Sequence, residues 1–369
     1  MENKRSRFES SIFTEEIITE NDLPSYLLSL ENQALSHIQN NDLQNALSSL
    51  KTSEEMMESI SMQGGSLNSE NIISILHNIA YCYQELGELK KQVIYIDACY
   101  FNAKTLKFIQ GGISKTEDSI RKSKYIAKLA LQYSSVLTAL NKPKKALKFA
   151  YSAYIYSCRA INDTLEACKK HKQNLQYKVK KAKLSKSEKN RLSLVQRAMP
   201  ILEVIESYLR KGDLQKVDMR SALGIKGYPE WISSINMSEF LKISTVKAAD
   251  FTCGLGIQAE FTKDYLFYKI ALLATSLYFL GARNQSLGNH NKGHRYSLSA
   301  KRFAGNFFSE KCPIFRELNE NASKMSVENP DASENKGVKK IKRNKSLNYN
   351  IPKFNVHSSS FSKFSSVLV

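Results

Sequence analysis

The chain has 369 residues, of which 42% are apolar, enough to bury a sizeable core. With only 15 glycines and 7 prolines it favours long helices and argues against a turn-rich β fold. Its formal charge of +19 points to acidic partners: nucleic acid, anionic membrane surfaces or acidic protein tails.

The opening, Met1 to Phe8, has no apolar signal core, so a secretory leader is not expected. Residues 1–20 are polar without an apolar period and are expected to be flexible. Asn21-Asp22-Leu23-Pro24 is a helix start. A helical hairpin follows, with Leu30, Gln33 and Ala34 before Asn41-Asp42-Leu43, then Ala46 and Leu50. Gly64-Gly65 breaks the chain, and Asn68-Ser69-Glu70 restarts it. Ile72, Ile75, Leu76, Ile79 and Tyr83 then keep one helix face apolar up to Gly87-Glu88. A third copy runs Ala130, Tyr133, Ser134, Leu137, Asn141, Pro143, Ala146, Ala150 and Ala153. A fourth runs Leu277, Leu280, Gly281, Gly288-Asn289, Gly293, Ser297 and Ala300.

In every copy Asn or Gly stands at the turn, where a chain reversal needs a residue that tolerates left-handed backbone. A small residue lies seven positions before each turn, and a small one opens the second helix in three of the four, Gln92 being the departure. This recurrence resembles the tetratricopeptide (TPR) superfamily, in a divergent long-helix form similar to ciliate TPR-like proteins. The resemblance implies an all-α solenoid of helical hairpins, a surface for holding other proteins. The turns are spaced more widely than the period of about 34 residues usual in that superfamily. The expected organisation is 1–20 flexible, 21–160 hairpins, 161–262 a basic helical and irregular insert, 263–325 a further hairpin, and 326–369 a disordered basic tail rich in Ser, Lys and Asn.

From Lys169 to Arg191 ten Lys or Arg face one acid, Glu188. Leu165, Cys168, Leu175, Val179 and Ala182 form a narrow stripe, so a helix with one buried seam and a cationic outer face is expected, followed by a second helix kinked or broken at Pro200. Lys169, Lys170, Lys172, Lys178, Lys180, Lys181 and Lys183 are the candidate polyanion contact, against a plain solvated face. Trp231, the only tryptophan, is expected to pack the insert onto the array, or else to anchor a partner. The apolar run Ile270 to Ala282 is too short to span a bilayer and reads as a core helix. In the tail, Lys339, Lys340, Lys342, Arg343 and Lys345 match a nuclear import pattern, and Ser346 a site for a basophilic kinase; a solvating tail is the alternative.

The resemblance also implies a concave groove lined by the first helix of each unit. That groove would present His77, Asn78, Tyr81 and Gln84 from the second unit, and Lys128, Gln132 and Ser135 from the third. Chaperone-binding members hold a C-terminal carboxylate with a basic clamp. Its positions here carry Glu31, Leu35, Asn78, Lys128 and Gln132, and Glu31 would repel such a ligand.

No catalytic residue, metal or cofactor is assigned. The six cysteines show no CxxC pair and read as buried free thiols. His290 and His294 read as solvated turn residues, and Gly254-Leu255-Gly256 lacks the rest of a phosphate loop. The expectation is a non-enzymatic scaffold in the cytoplasm, docking a peptide or helix in its groove and contacting acidic polymers such as tubulin tails or microtubules. A nuclear, nucleic-acid-associated regulator is the alternative.

Overall fold

The computed structural model describes residues 23–63, 69–105, 115–181, 185–211, 229–252 and 256–327. They belong to the first of two units, Met1–Asn329; the second is Pro330–Val369. The regular elements of the described residues are all helices, with no strand among them. In chain order the helices are α1 (Leu23–Gln39), α2 (Leu43–Met62), α3 (Ser69–Glu85), α4 (Leu89–Thr105), α5 (Lys115–Ala139), α6 (Pro143–Lys181) and α7 (Lys186–Lys211). Three single turns follow: α8 (Glu230–Ser234), α9 (Met237–Leu241) and α10 (Ala248–Thr252). A 3-10 turn at Ala259–Phe261 then leads into α11 (Lys263–Ser286), α12 (His290–Phe307) and α13 (Pro313–Val327).

Four antiparallel hairpins, α1/α2, α3/α4, α5/α6 and α11/α12, pack one on the next, the fourth seating α11 against α5 and α6. Each reverses at a residue of positive φ: Asn41 (58°), Gly87 (71°), Asn141 (56°) and Gly288 (77°). After each, the next amide donates back across the turn: Asp42 to the His37 carbonyl (2.8 Å), Glu88 to Tyr83 (2.9 Å), Lys142 to Leu137 (2.8 Å) and Asn289 to Asn284 (2.8 Å). This six-to-one closure satisfies a carbonyl left open at the helix end, and it requires the left-handed residue before it.

In three of the four hairpins small residues flank the turn where the two helices cross. Ala34 and Ala46 are fully buried, as are Ser134 and Ala146, whose carbonyl accepts the Ser134 hydroxyl at 2.9 Å. Gln92 occupies the equivalent site of the second hairpin; it is buried, and its Oε1 has no partner among the described residues.

The sequence boundary at residue 160 falls inside α6, which continues unbroken from the third hairpin into the basic segment. At 1.5 Å per residue it is about 60 Å long. No proline or glycine interrupts it after Pro143. Its seam of Leu165, Cys168 and Leu175 is buried together with Val195, Ala198, Leu202 and Ile205 of α7. The seam ends there, because Val179 is half exposed. α7 runs through Pro200 without ending, since Ala198, Met199, Ile201 and Leu202 around it are all anchored in the core.

α11 is long and apolar enough in composition to cross a membrane, but 78% of its most apolar window is buried inside the protein. It is the central helix of the main core. Lys269 of α11 is only 1% exposed, with its Nζ 2.7 Å from a Glu260 carboxylate oxygen and 2.9 Å from the Glu260 carbonyl. The other carboxylate oxygen takes Lys124 of α5 at 2.5 Å. Burial alone would raise the Glu260 pKa, but Lys269 and Lys124 outweigh it and hold the carboxyl below its usual range. This triad ties α5, the 3-10 turn and α11 together.

Residues 1–22, the tail from 328 onward, Ala182 and Cys253 lie outside the described residues. So do Lys183, the tail basic motif Lys339, Lys340, Lys342, Arg343 and Lys345, and Ser346. The five described cysteines are free, and burial pushes the thiols of Cys82, Cys158 and Cys168 up to about 12.

Candidate functional site: a groove with its own peptide

α3 carries the apolar stripe Ile75, Ile79 and Tyr83 into the core it shares with the first hairpin. The opposite side of its helical period presents His77, Asn78, Tyr81 and Gln84, and an extended piece of the same chain, between α9 and α10, crosses there. Its backbone polar groups have no sheet to join, so they must find other partners.

Two side-chain amides supply them. Asn78 Oδ1 accepts the Val246 N–H at 3.0 Å, while its Nδ2 donates to the Val246 carbonyl at 2.8 Å. Gln84 repeats the arrangement at Ile243: Oε1 accepts the N–H at 3.1 Å, and Nε2 approaches the carbonyl at 3.4 Å. Six residues of helix rise about 9 Å, and three residues of extended chain span about 10 Å. The two clamps are therefore in register, with the segment antiparallel to α3.

Beyond Val246, the Ala248 N–H donates to Glu31 Oε1 of α1 at 3.0 Å. Burial raises the Glu31 pKa, and this amide works against the rise. The residue that would repel a carboxylate ligand thus accepts a backbone amide. His77 Nε2 lies 2.9 Å from the Ser244 carbonyl, and Nδ1 lies 2.8 Å from the Tyr125 hydroxyl. A carbonyl only accepts, so Nε2 carries the proton and Nδ1 accepts from Tyr125. Burial drives the His77 pKa down to about 4, which keeps the ring neutral near pH 7.

Side chains add to the hold. Ile243 is 2% exposed and belongs to the core of Ala80, Tyr133, Val136 and Leu137. Phe251 of α10 meets the Tyr125 ring edge-on at 5.2 Å. Lys242 pairs with Glu85 at 3.1 Å at the exposed end, a contact worth little in water.

The remaining groove positions divide. Tyr81 and Ser135 are half-buried. Gln132 is 3% exposed, and neither of its amide atoms has a partner among the described residues. Lys128 is half-buried on the same face of α5, and burial lowers its pKa. Of the basic helix, Lys169 sits 3.5 Å from Glu206 of α7, Lys170 is exposed and Lys172 half-buried. The side chains of Lys178, Lys180 and Lys181 lie outside the described residues. Trp231 is half-buried against the main core, its ring 6.3 Å from that of Tyr268 of α11. Among the described residues no three His, Cys, Asp or Glu side chains gather as a cation would need.

The sequence set His77, Asn78, Tyr81 and Gln84 on one face of α3 but gave no sign of the segment that lies against it, from about 160 positions further along the chain. Nor did it show the Lys124–Glu260–Lys269 triad. No signal within a local window marks either. No protein-family model matches this chain, and no curated protein shows significant similarity to it.

Proposed function

We propose that the chain is a non-enzymatic interaction scaffold of tetratricopeptide type that holds an extended peptide along α3, with its own residues 242–248 as the resident occupant. The paired amide clamp of Asn78 and Gln84 carries this reading. Both side chains bind backbone rather than side chains, so they accept any extended segment; selectivity falls to the flanking pockets. The resident segment defines the fit: a branched apolar residue at the Ile243 position, an extended residue three further on, and a small residue at the Ala248 position. A partner peptide of that form binds by exchange. The positive charge carried outward by α6, with Lys170 exposed, is the part offered to an acidic polymer such as a tubulin tail in the cytoplasm.

A labelled peptide spanning residues 240–251 tests the reading. In the full-length chain, Val246→Pro removes the N–H that Asn78 accepts and leaves the groove intact. The peptide is expected to bind this variant at least tenfold more tightly than wild type by fluorescence anisotropy, and to lose that binding when Asn78→Ala is added. Equal binding to wild type and variant, or indifference to Asn78→Ala, would sink the proposal. Unchanged helical circular dichroism serves as the folding control.

A further inference from the structure

A cavity of about 390 Å³ is bounded by α5, α8, α9 and α11. That size is within the range of small-molecule sites. Trp231, Phe240, Tyr265 and Tyr268 form an aromatic wall, with Phe240 and Tyr268 ring centres 5.7 Å apart. Lys124 and Lys128 enter from α5, one turn apart on the same face.

The two lysines differ in what they meet. Lys124 is spent on Glu260 and lies 4.3 Å from the centre of the Tyr265 ring. Lys128 has neither a hydrogen bond nor an ion pair among the described residues. A half-buried ammonium beside an aromatic wall has lost water without gaining a counter-charge, an arrangement that costs free energy until an anion arrives. The surrounding charge has the same sense. The buried Glu260 carboxylate is already shared by Lys124 and Lys269, so it is not available to Lys128. The acids that line the cavity, Glu239 and Asp264, are both exposed at its rim, and Glu239 accepts the Asn236 N–H at 3.1 Å within its own helix cap.

We propose that this cavity binds a small organic monoanion with a flat apolar body, its acid group on Lys128 and its ring system against Trp231, Phe240 and Tyr268. Among the described lining residues Lys128 is the ammonium without an ion pair, which suits one negative charge, and the aromatic wall suits a planar body. The site adjoins the peptide groove and shares Lys128 with its lining, but it does not rest on the peptide-binding reading.

2-Naphthoate and 2-naphthylmethylammonium, equal in shape and opposite in charge, are the probes. By titration calorimetry on the full chain, naphthoate is expected to bind, Lys128→Met to weaken it at least tenfold, and the ammonium to give no binding heat. Absence of naphthoate binding, equal binding by Lys128→Met, or tighter binding of the ammonium would each overturn the proposal. A second measurement needs no variant. Trp231 is the only tryptophan, so its fluorescence reports this cavity alone. Iodide is expected to quench it more strongly than caesium, and the reverse order would contradict a cationic site.

Discussion

Glu260→Ala is expected to destabilise the protein by about 3–5 kcal/mol, the range seen when one partner of a buried ion pair is removed. The size follows from what is left behind. Lys269 is 1% exposed and Lys124 8% exposed, so neither ammonium can recover water once the carboxylate is gone. Lys269 would retain only the residue-260 carbonyl. The triad spans α5, the 3-10 turn and α11, so its loss loosens the seat of the fourth hairpin on the third. The same contribution should fade in acid: a carboxyl held below its usual range adds stability above its unfolded pKa and loses it as pH falls through the folded one. Denaturant melts of wild type and Glu260→Ala at neutral pH measure the effect. A loss below about 1 kcal/mol would mean the lysines find other solvation, against the charge balance of a buried triad.

Gly281→Val should cost about 3 kcal/mol or more. Gly281 of α11 faces Gly293 and Ser297 of α12 at the crossing of the fourth hairpin. A Cβ on Gly281 would lie 3.0 Å from the Ser297 amide nitrogen and 3.1 Å from the Gly293 carbonyl oxygen, besides meeting the Ser297 hydroxyl. The nitrogen and the carbonyl are backbone, so relief requires the helices to separate. That separation exposes part of α11, of whose 24 residues 15 are buried. Gly281→Ala should cost less, because helix propensity returns about 1 kcal/mol. A valine variant melting with the wild type would show that the crossing is not close.

The hairpins were legible because their signals are local. Asn41, Gly87, Asn141 and Gly288 mark reversals by a backbone requirement that few residues meet, and each has positive φ. Ala34, Ala46, Ser134, Ala146, Gly281 and Gly293 mark close crossings by their lack of bulk, a property of the residue itself. The continuity of α6 was also on the page, since nothing between Pro143 and Lys181 breaks a helix. At Pro200 the helix does not break, because packing on both sides overrides the loss of one backbone hydrogen bond.

The site was legible only by half. His77, Asn78 and Gln84 could be placed on one face of α3 by helical period. Nothing near them in sequence says that they bind residues 243 to 246. That stretch has no periodicity of its own, because its backbone is satisfied by side chains rather than by a regular ladder. The triad was hidden for the same reason: nothing near Lys269 in the sequence marks it until the fold brings Glu260 and Lys124 to it.

Amide hydrogen exchange, resolved to single residues across 243–248, tests the clamp most directly. The N–H groups of Ile243, Val246 and Ala248 each donate to a side-chain oxygen, whereas Ser244 and Thr245 are exposed. Slow exchange at 243, 246 and 248 with fast exchange at 244 and 245 is the expected pattern, and Asn78→Ala should release Val246 first. Uniformly fast exchange through all of these positions would contradict a groove that holds its own peptide.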